Sequence, residues 1–321
     1  MRSFRVLSER DVERLLPMSL ALEIIESVFR WHGQGEVDNR PRVRLRGEHG
    51  LLQVMPASVR PATAMGLKAY TTFRGEARFF VLLFSAETGE LLAMIEADRL
   101  GQIRTGAASG VATKYLARPD ADVVGCYGTG YQAATQLEAV TGVRKIRRVQ
   151  VSGRDAQRRA RFAKEMTDRL GVEVVPVEQP QETARGASIL ITITSSKSPV
   201  LEGAWIEPGA HINAVGSNAI DRVELDVEAV RRAALIVTDS KEQAKIECGD
   251  LVAPIRDGVL NWDQVRELGE IVTGKSPGRT SSEAITLFES QGIAMEDVAV
   301  AKEIFEQASA HGVGQLISTG V

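Results

Sequence analysis

The sequence predicts an α/β protein: a Rossmann dinucleotide-binding domain and a second domain of mixed α+β type. Three observations lead there. Gly128-Thr129-Gly130-Tyr131-Gln132-Ala133 stands between an apolar strand and a helical stretch. After Arg118-Pro119-Asp120, short apolar strands alternate with segments of helical length. Before that point the order is a helix, a run of strands and a second helix rich in small residues. The expected division is therefore 1–117 and 118–293, with 294–321 folding back to complete the first domain.

In chain order, residues 19–32 read as a helix, because Leu22, Ile25, Val28 and Phe29 fall at helical spacing. Residues 40–46 alternate strictly, which in a strand places Arg40, Arg42, Arg44 and Arg46 on one face. The apolar run 79–84 is a strand, too short to cross a bilayer, and Glu87-Thr88-Gly89 signals a turn. Residues 95–116 read as a helix in which Gly106, Ala107, Ala108, Ser109, Gly110 and Ala112 allow close approach of another backbone or a ligand. Strands follow at 123–126, 149–151, 172–177, 189–194, 211–215 and 235–238, with helical crossovers between the early ones. That order argues for right-handed βαβ units and a parallel sheet. Residues 296–310 read as an amphipathic helix.

Composition narrows the function. Of 321 residues, 44% are apolar and 25% charged, the balance of an ordinary globular protein. The formal charge of −3 gives no electrostatic reason to expect nucleic acid or an anionic membrane as partner. The first residues, MRSFRVLSERDVERL, are charged and lack the apolar core of a secretory signal, so a cytoplasmic protein is expected. Cys126 and Cys248 are too few for a disulfide framework. His32, His49, His211 and His311 show no metal-ligand spacing, and no metal is expected.

The glycine turn carries the cofactor expectation. Gly128 permits a tight turn, Gly130 lets the backbone reach a pyrophosphate, and Ala133 keeps helix and strand close. Free amides at the helix start, around Tyr131 and Gln132, would face the anion. The second strand of the series ends at Val151-Ser152-Gly153-Arg154, where an NAD site usually carries an acid for the ribose hydroxyls. A hydroxyl and a guanidinium at Ser152 and Arg154 can instead bind a 2′-phosphate. NADP(H) is therefore the preferred cofactor, with NAD(H) as the alternative. On pattern alone, Arg42 and Lys68 would read as solvated cations keeping an edge strand soluble.

Further motifs change that reading. Arg42-Val43, Val54-Met55-Pro56, Gly66-Leu67-Lys68, Ile103-Arg104-Thr105-Gly106-Ala107-Ala108-Ser109, the glycine turn, His211-Ile212-Asn213-Ala214-Val215-Gly216-Ser217-Asn218 and Glu247-Cys248-Gly249-Asp250 are spread over most of the chain. In these the sequence resembles the ornithine cyclodeaminase/mu-crystallin family. The resemblance implies that the mixed α+β domain, 1–117 with 294–321, is a substrate-binding and dimerisation domain through which two copies form a homodimer, with a substrate site in the cleft between the two domains. It implies that Arg42, Lys68 and Arg104 hold a substrate carboxylate, that Gln53 belongs to the substrate site, and that Arg104 and Thr105 also serve the cofactor. Thr194 and Ser195, past the fourth strand, and Val215 and Gly216, past the fifth, would face the cofactor, since open α/β sheets bind ligands at strand carboxyl ends.

Two departures from the family pattern bear on the reaction. Cyclodeaminases of the family carry an acid/base Asp where this chain has Asn218, and an active-site Glu where it has Gln53. An amide can orient a group but cannot take its proton. Asp221, three residues on, is the candidate replacement. The expectation is a ketimine reductase acting on a small cyclic imino acid, with Lys68 or a water held by Asn218 supplying the proton. Ornithine cyclodeaminase and alanine dehydrogenase are the alternatives within the family, and a cofactor-gated small-molecule binding protein of mu-crystallin type is the alternative of another class.

Overall fold

The computed structural model describes residues 2–319, which divide into two units, one running up to Arg104 and resuming at Ile293, the other Thr105–Gly292. In the first, β1 (Arg2–Leu7) leads into α1 (Glu9–Leu15) and α2 (Met18–Gln34). Ser8 fixes the start of α1: its hydroxyl accepts from the Asp11 amide while the Asp11 carboxylate accepts from the Ser8 amide. Then come β2 (Val37–Asn39), β3 (Val43–Arg46), β4 (Gly50–Val59), β5 (Ala64–Phe73), β6 (Glu76–Ser85) and β7 (Leu91–Glu96). Antiparallel pairing runs through β4, β5, β6 and β7. Along β4, Gln53, Met55, Ala57 and Val59 are buried and their neighbours are more exposed, the period of a strand covered on one face.

The helix expected at 95–116 is α3 (Asp98–Leu116). Ile95 belongs to β7 instead, paired with Val81, because sheet pairing outcompetes local helical spacing at the junction. The division between the units falls inside α3, after Arg104, where the sequence placed it at 117. The turn signal at Arg118-Pro119 ends the helix without ending the unit.

The second unit holds β8 (Val123–Tyr127), α4 (Tyr131–Val143), β9 (Arg148–Ser152), α5 (Ala156–Leu170), β10 (Glu173–Pro176), α6 (Pro180–Ala184), β11 (Ile189–Thr192) and β12 (His211–Ala214). It continues through α7 (Val227–Arg232), β13 (Ala233–Thr238), α8 (Lys241–Glu247), α9 (Gly249–Arg256), β14 (Val265–Glu267), α10 (Leu268–Val272) and β15 (Ile285–Glu289). The strand order is β10-β9-β8-β11-β12-β15-β13-β14, and every pairing is parallel. β8, β11, β12 and β15 are buried at every residue, as strands covered on both faces must be. This is the doubly wound sheet that the sequence predicts. β15 enters between β12 and β13, out of chain order, a placement that no local pattern announces.

The chain ends with α11 (Ala294–His311) and β16 (Gln315–Thr319) in the first unit. β16 pairs with β1 and extends the sheet to β16-β1-β7-β6-β5-β4-β2, with β3 against β4. α11 packs on the buried face of that sheet. Gly66 makes this close: a Cβ there would lie 2.5 Å from the Leu82 carbonyl and 3.4 Å from Val298. No helix among the described residues is long and apolar enough to cross a membrane. Cys126 and Cys248 are buried free thiols.

Candidate functional site

Strand alternation builds the first cluster. Gln53 of β4 and Lys68 and Tyr70 of β5 point to the face under α11, with Gln53 beside Tyr70 in the register. Arg42, Lys68 and Arg104 are only 8%, 4% and 5% exposed, so the reading of the first two as solvated edge cations is wrong. Lys68 donates to Asp297 Oδ1 at 3.1 Å. Arg104 donates to the same oxygen through Nε at 2.9 Å and to Glu296 Oε2 through Nη1 at 2.7 Å. Both carboxylates are fully buried in the first turn of α11, where the helix dipole also favours negative charge. Asn39 completes that helix start by accepting from the Met295 amide at 2.9 Å.

Aromatic rings line the other side of the lysine. Its ammonium lies 5.4 Å from the Phe79 ring and 5.8 Å from the Tyr70 ring, and Arg42 lies 6.0 Å from Tyr70. Gln53 accepts from the Tyr70 hydroxyl at 2.8 Å and from Arg44 at 3.2 Å. Gly101 leaves room for the ammonium, since a Cβ there would stand 3.0 Å from Nζ. Burial pulls the Lys68 pKa down to about 8; Asp297 works against the fall, and Arg104 and Arg42 add to it. For Arg104, burial is outweighed by Asp297 and Glu296, which hold it above the ordinary range. The structure thus joins Arg42, Gln53, Lys68 and Arg104, and adds Tyr70, Glu296 and Asp297, which sequence reasoning missed. A signal existed: Glu296 and Asp297 stand in the string Ala-Met-Glu-Asp-Val-Ala-Val-Ala, too apolar for a solvated helix face.

In the second unit the glycine turn follows β8 and opens α4. Gly128 has φ +119°, and a Cβ on it would lie 2.5 Å from the Ile193 carbonyl. Gly130 caps α4 with no side-chain hydrogen bond, and a Cβ added there would meet nothing closer than Arg158 at 3.9 Å. An uncapped helix start approached by glycine backbone fits a dinucleotide pyrophosphate. β8 is the strand at which the order reverses, the position where doubly wound sheets bind ligands. Tyr131 is exposed, Gln132 half-buried and Ala133 buried against the strand. Gly106 of α3 lies so close to α4 that a Cβ would meet the Thr135 carbonyl at 2.4 Å, and Gln136 donates to the Thr105 carbonyl.

The end of β9 carries more positive charge than the sequence reading counted. Ser152 is buried and Arg154 exposed. Arg159 donates to the Gly153 carbonyl at 2.6 Å and Arg158 to the Thr129 carbonyl at 3.1 Å, so α5 delivers two further guanidinium groups to this turn. Asp155 is engaged as the α5 cap, accepting from the Arg158 amide.

Loops after β11 and β12 hold the remaining expected residues. Thr194 is half-buried, Ser195 exposed, and Val215 and Gly216 buried. Asn218 Oδ1 accepts from Arg222 at 2.9 Å. Asp221 sits in an exposed turn, 2.7 Å from Lys197, whose hydrogen bond and charge hold its carboxyl below the usual range. Those are the properties of a surface ion pair and not of an acid/base group. Beneath these loops lie buried acids. Burial and the Glu224 charge push Asp250 up to about 7, against the amides of Leu225 and Glu224 that it accepts from. Glu289, accepting from the Cys248 thiol at 3.3 Å, is raised well above its ordinary value by burial and by Asp250. No group of His, Cys, Asp or Glu among the described residues is arranged to hold a metal ion.

A profile of the ornithine cyclodeaminase/mu-crystallin family matches residues 3–312. The chain belongs to that family. It is 37% identical to the alanine dehydrogenase of Archaeoglobus fulgidus over 97% of both chains. A solved Thermococcus litoralis Δ1-pyrroline-2-carboxylate reductase, in complex with NADH and L-proline, superposes with a TM-score of 0.93 at 38% identity, covering 97% of this chain and 99% of that one. An archaeal alanine dehydrogenase dimer with bound NAD gives a TM-score of 0.93 at 36% identity over 99% of each chain. These members of the ornithine cyclodeaminase/mu-crystallin family are oxidoreductases that bind a nicotinamide cofactor.

Proposed function

We propose that this protein is a ketimine reductase that reduces a small cyclic imino acid, of the pyrroline- or piperideine-2-carboxylate type, with NADPH. The observation that carries the reading is the buried Lys68, pulled to about 8 and set in one cluster with Arg42 and Arg104. Arg42, Lys68 and Arg104 fix the substrate carboxylate and so orient the imine carbon. Lys68 has the pKa of a group that can hold or release a proton near neutrality, and it delivers that proton at the imine nitrogen. A bound reduced nicotinamide supplies the hydride for the imine carbon. Asn218 and Gln53 can position a water or the ring but cannot shuttle the proton that deamination requires. Asp221, paired with Lys197, is not used. The Thermococcus relative, solved with L-proline, supports a substrate of this size.

The preference for NADP(H) rests on Arg154, with Arg158 and Arg159 beside it and no acid at the end of β9. Arg154→Ala should weaken NADPH selectively by about 1–3 kcal/mol, the loss of one charge-assisted contact. Equal affinity of the parent for NADPH and NADH, by fluorescence titration, would overturn it. A homodimer is supported by the sheet face turned away from α11, where Leu52, Met65 and Phe80 are 37–39% exposed on adjacent strands. An apolar face of that kind fits a second copy, as in the archaeal alanine dehydrogenase dimer.

The reaction is tested with a panel: cyclic imino acids, pyruvate with ammonia, and ornithine with catalytic NAD, each with both cofactors. We expect reduced nicotinamide to be consumed with the cyclic imine, and little proline or ammonia from ornithine. Ornithine turnover comparable to imine reduction would sink the reading.

A further inference from the structure

The motif Glu247-Cys248-Gly249-Asp250 and the buried Glu224 have no part in the chemistry described above, yet they are joined. Glu224 is fully buried, and among the described residues no cation pairs with it. Its two oxygens have separate tasks: Oε1 accepts from the Thr194 amide at 2.5 Å, and Oε2 from the Gly216 amide at 2.8 Å. Those amides lie in different loops, one just past β11 and the other just past β12. Gly216 permits the approach, since a Cβ there would fall 2.2 Å from the Thr194 carbonyl and 2.6 Å from the Glu224 carboxyl carbon.

The clamp is itself held on both sides. Asp250 Oδ1 accepts from the amides of Glu224 at 2.6 Å and Leu225 at 2.9 Å. The Glu224 carbonyl accepts from the amides of Val200 and Leu201 at 2.8 and 3.1 Å. Ser217 accepts from the Asp250 amide and donates to the Arg222 carbonyl. Gly249 completes the fit, because a Cβ on it would lie 2.0 Å from that same Arg222 carbonyl.

We propose that Glu224 is a positioning residue that ties the β11 and β12 loops into one rigid wall for the nicotinamide end of the cofactor, with Asp250 fixing Glu224 in place. The argument is one of satisfied donors. Two loop amides facing a buried region must find acceptors, and one bidentate carboxylate fixes both at a set separation. Loops so joined lose the freedom that each would have alone, and a preformed wall leaves less ordering cost at binding. The proposal rests on the reading of this unit as the cofactor site, and the test separates the two.

The variant is Glu224→Gln, whose amide offers one acceptor and turns its NH2 toward the other loop. Binding is measured by calorimetry for NADPH and for the 2′-phosphate of adenosine diphosphoribose, which lacks the nicotinamide. We expect NADPH to weaken about tenfold or more while the truncated ligand binds as in the parent. A role in general stability alone would weaken both ligands together or neither, and either result overturns the proposal. Failure of the parent to bind either ligand would instead overturn the cofactor reading. Should Glu224→Gln not fold, amide exchange in the parent without cofactor decides: the Thr194 and Gly216 amides should be strongly protected, and free exchange at either would end the proposal.

Discussion

Each unit buries a cluster of ionisable groups, and the two clusters settle the cost differently. In the first unit, Lys68 and Arg104 meet Asp297 and Glu296, so charge answers charge. In the second, Glu224, Asp239, Asp250 and Glu289 are buried together, with backbone amides as the donors to three of them. Asp239 alone accepts from the amides of Ser240, Gln291 and Gly292. Desolvating a charge is costly unless it is paired, hydrogen-bonded or neutralised. The first cluster uses pairing and keeps its ions. The second uses amides, and burial still raises the carboxyls of Glu224, Asp250 and Glu289 above their ordinary values. The difference fits the roles proposed for them: a first cluster that meets a charged substrate and moves a proton, and a second that holds backbone still.

The strongest way to break this contrast is to remove a partner from the paired cluster. Asp297→Ala leaves Lys68 without its hydrogen-bonded anion and Arg104 with Glu296 alone. Stability should fall by about 3–5 kcal/mol, the range for stranding a buried charge. Urea melts would check this, and a loss under about 1 kcal/mol would mean that water reaches the site and screens it.

Lys68→Met tests the functional half of the contrast. We expect the KM for the imine to rise and kcat to fall, with kcat/KM down about a hundredfold or more, while NADPH affinity stays nearly unchanged. Full activity on every imine that the parent reduces would remove Lys68 from the reaction. In the parent, the reductive rate should fall as pH rises through about 8, where Lys68 loses its proton. Asp297→Asn removes a charge that holds that pKa up, so in any folded fraction the limb should move to lower pH.

A smaller effect sharpens the other side. The Asp250 pKa in the folded protein, about 7, lies above its unfolded value, so the folded state binds the proton more tightly. Stability should therefore fall as pH rises from about 4 to about 7 and level off above. Asp250→Asn keeps an acceptor for the amides of Glu224 and Leu225 and removes the titration. The Tm difference between pH 5 and pH 8 should shrink in this variant relative to the parent. Parallel profiles for the two proteins would show that Asp250 is ionised throughout.

Much of this protein is local information. The turn from Gly128 to Ala133 needs only a strand before it, a helix after it and glycines where Cβ atoms would collide, and all of that is contiguous in the chain. The βαβ series and the family motifs are contiguous too, which is why the doubly wound unit and the family were legible without coordinates. Arg42, Gln53, Lys68 and Arg104 were legible only through the resemblance, since alternation alone puts Arg42 and Lys68 on a solvated edge. What the tertiary structure alone decided is which buried charge meets which. Asp297 reaches Lys68 across 229 residues of chain and Arg104 across 193. Glu224 bridges amides that belong to separate loops, and β15 slips between strands that precede it. Backbone propensity acts over a few residues, but neutralising a buried charge depends on whatever the completed fold brings within about 3 Å. No run of sequence carries that distance.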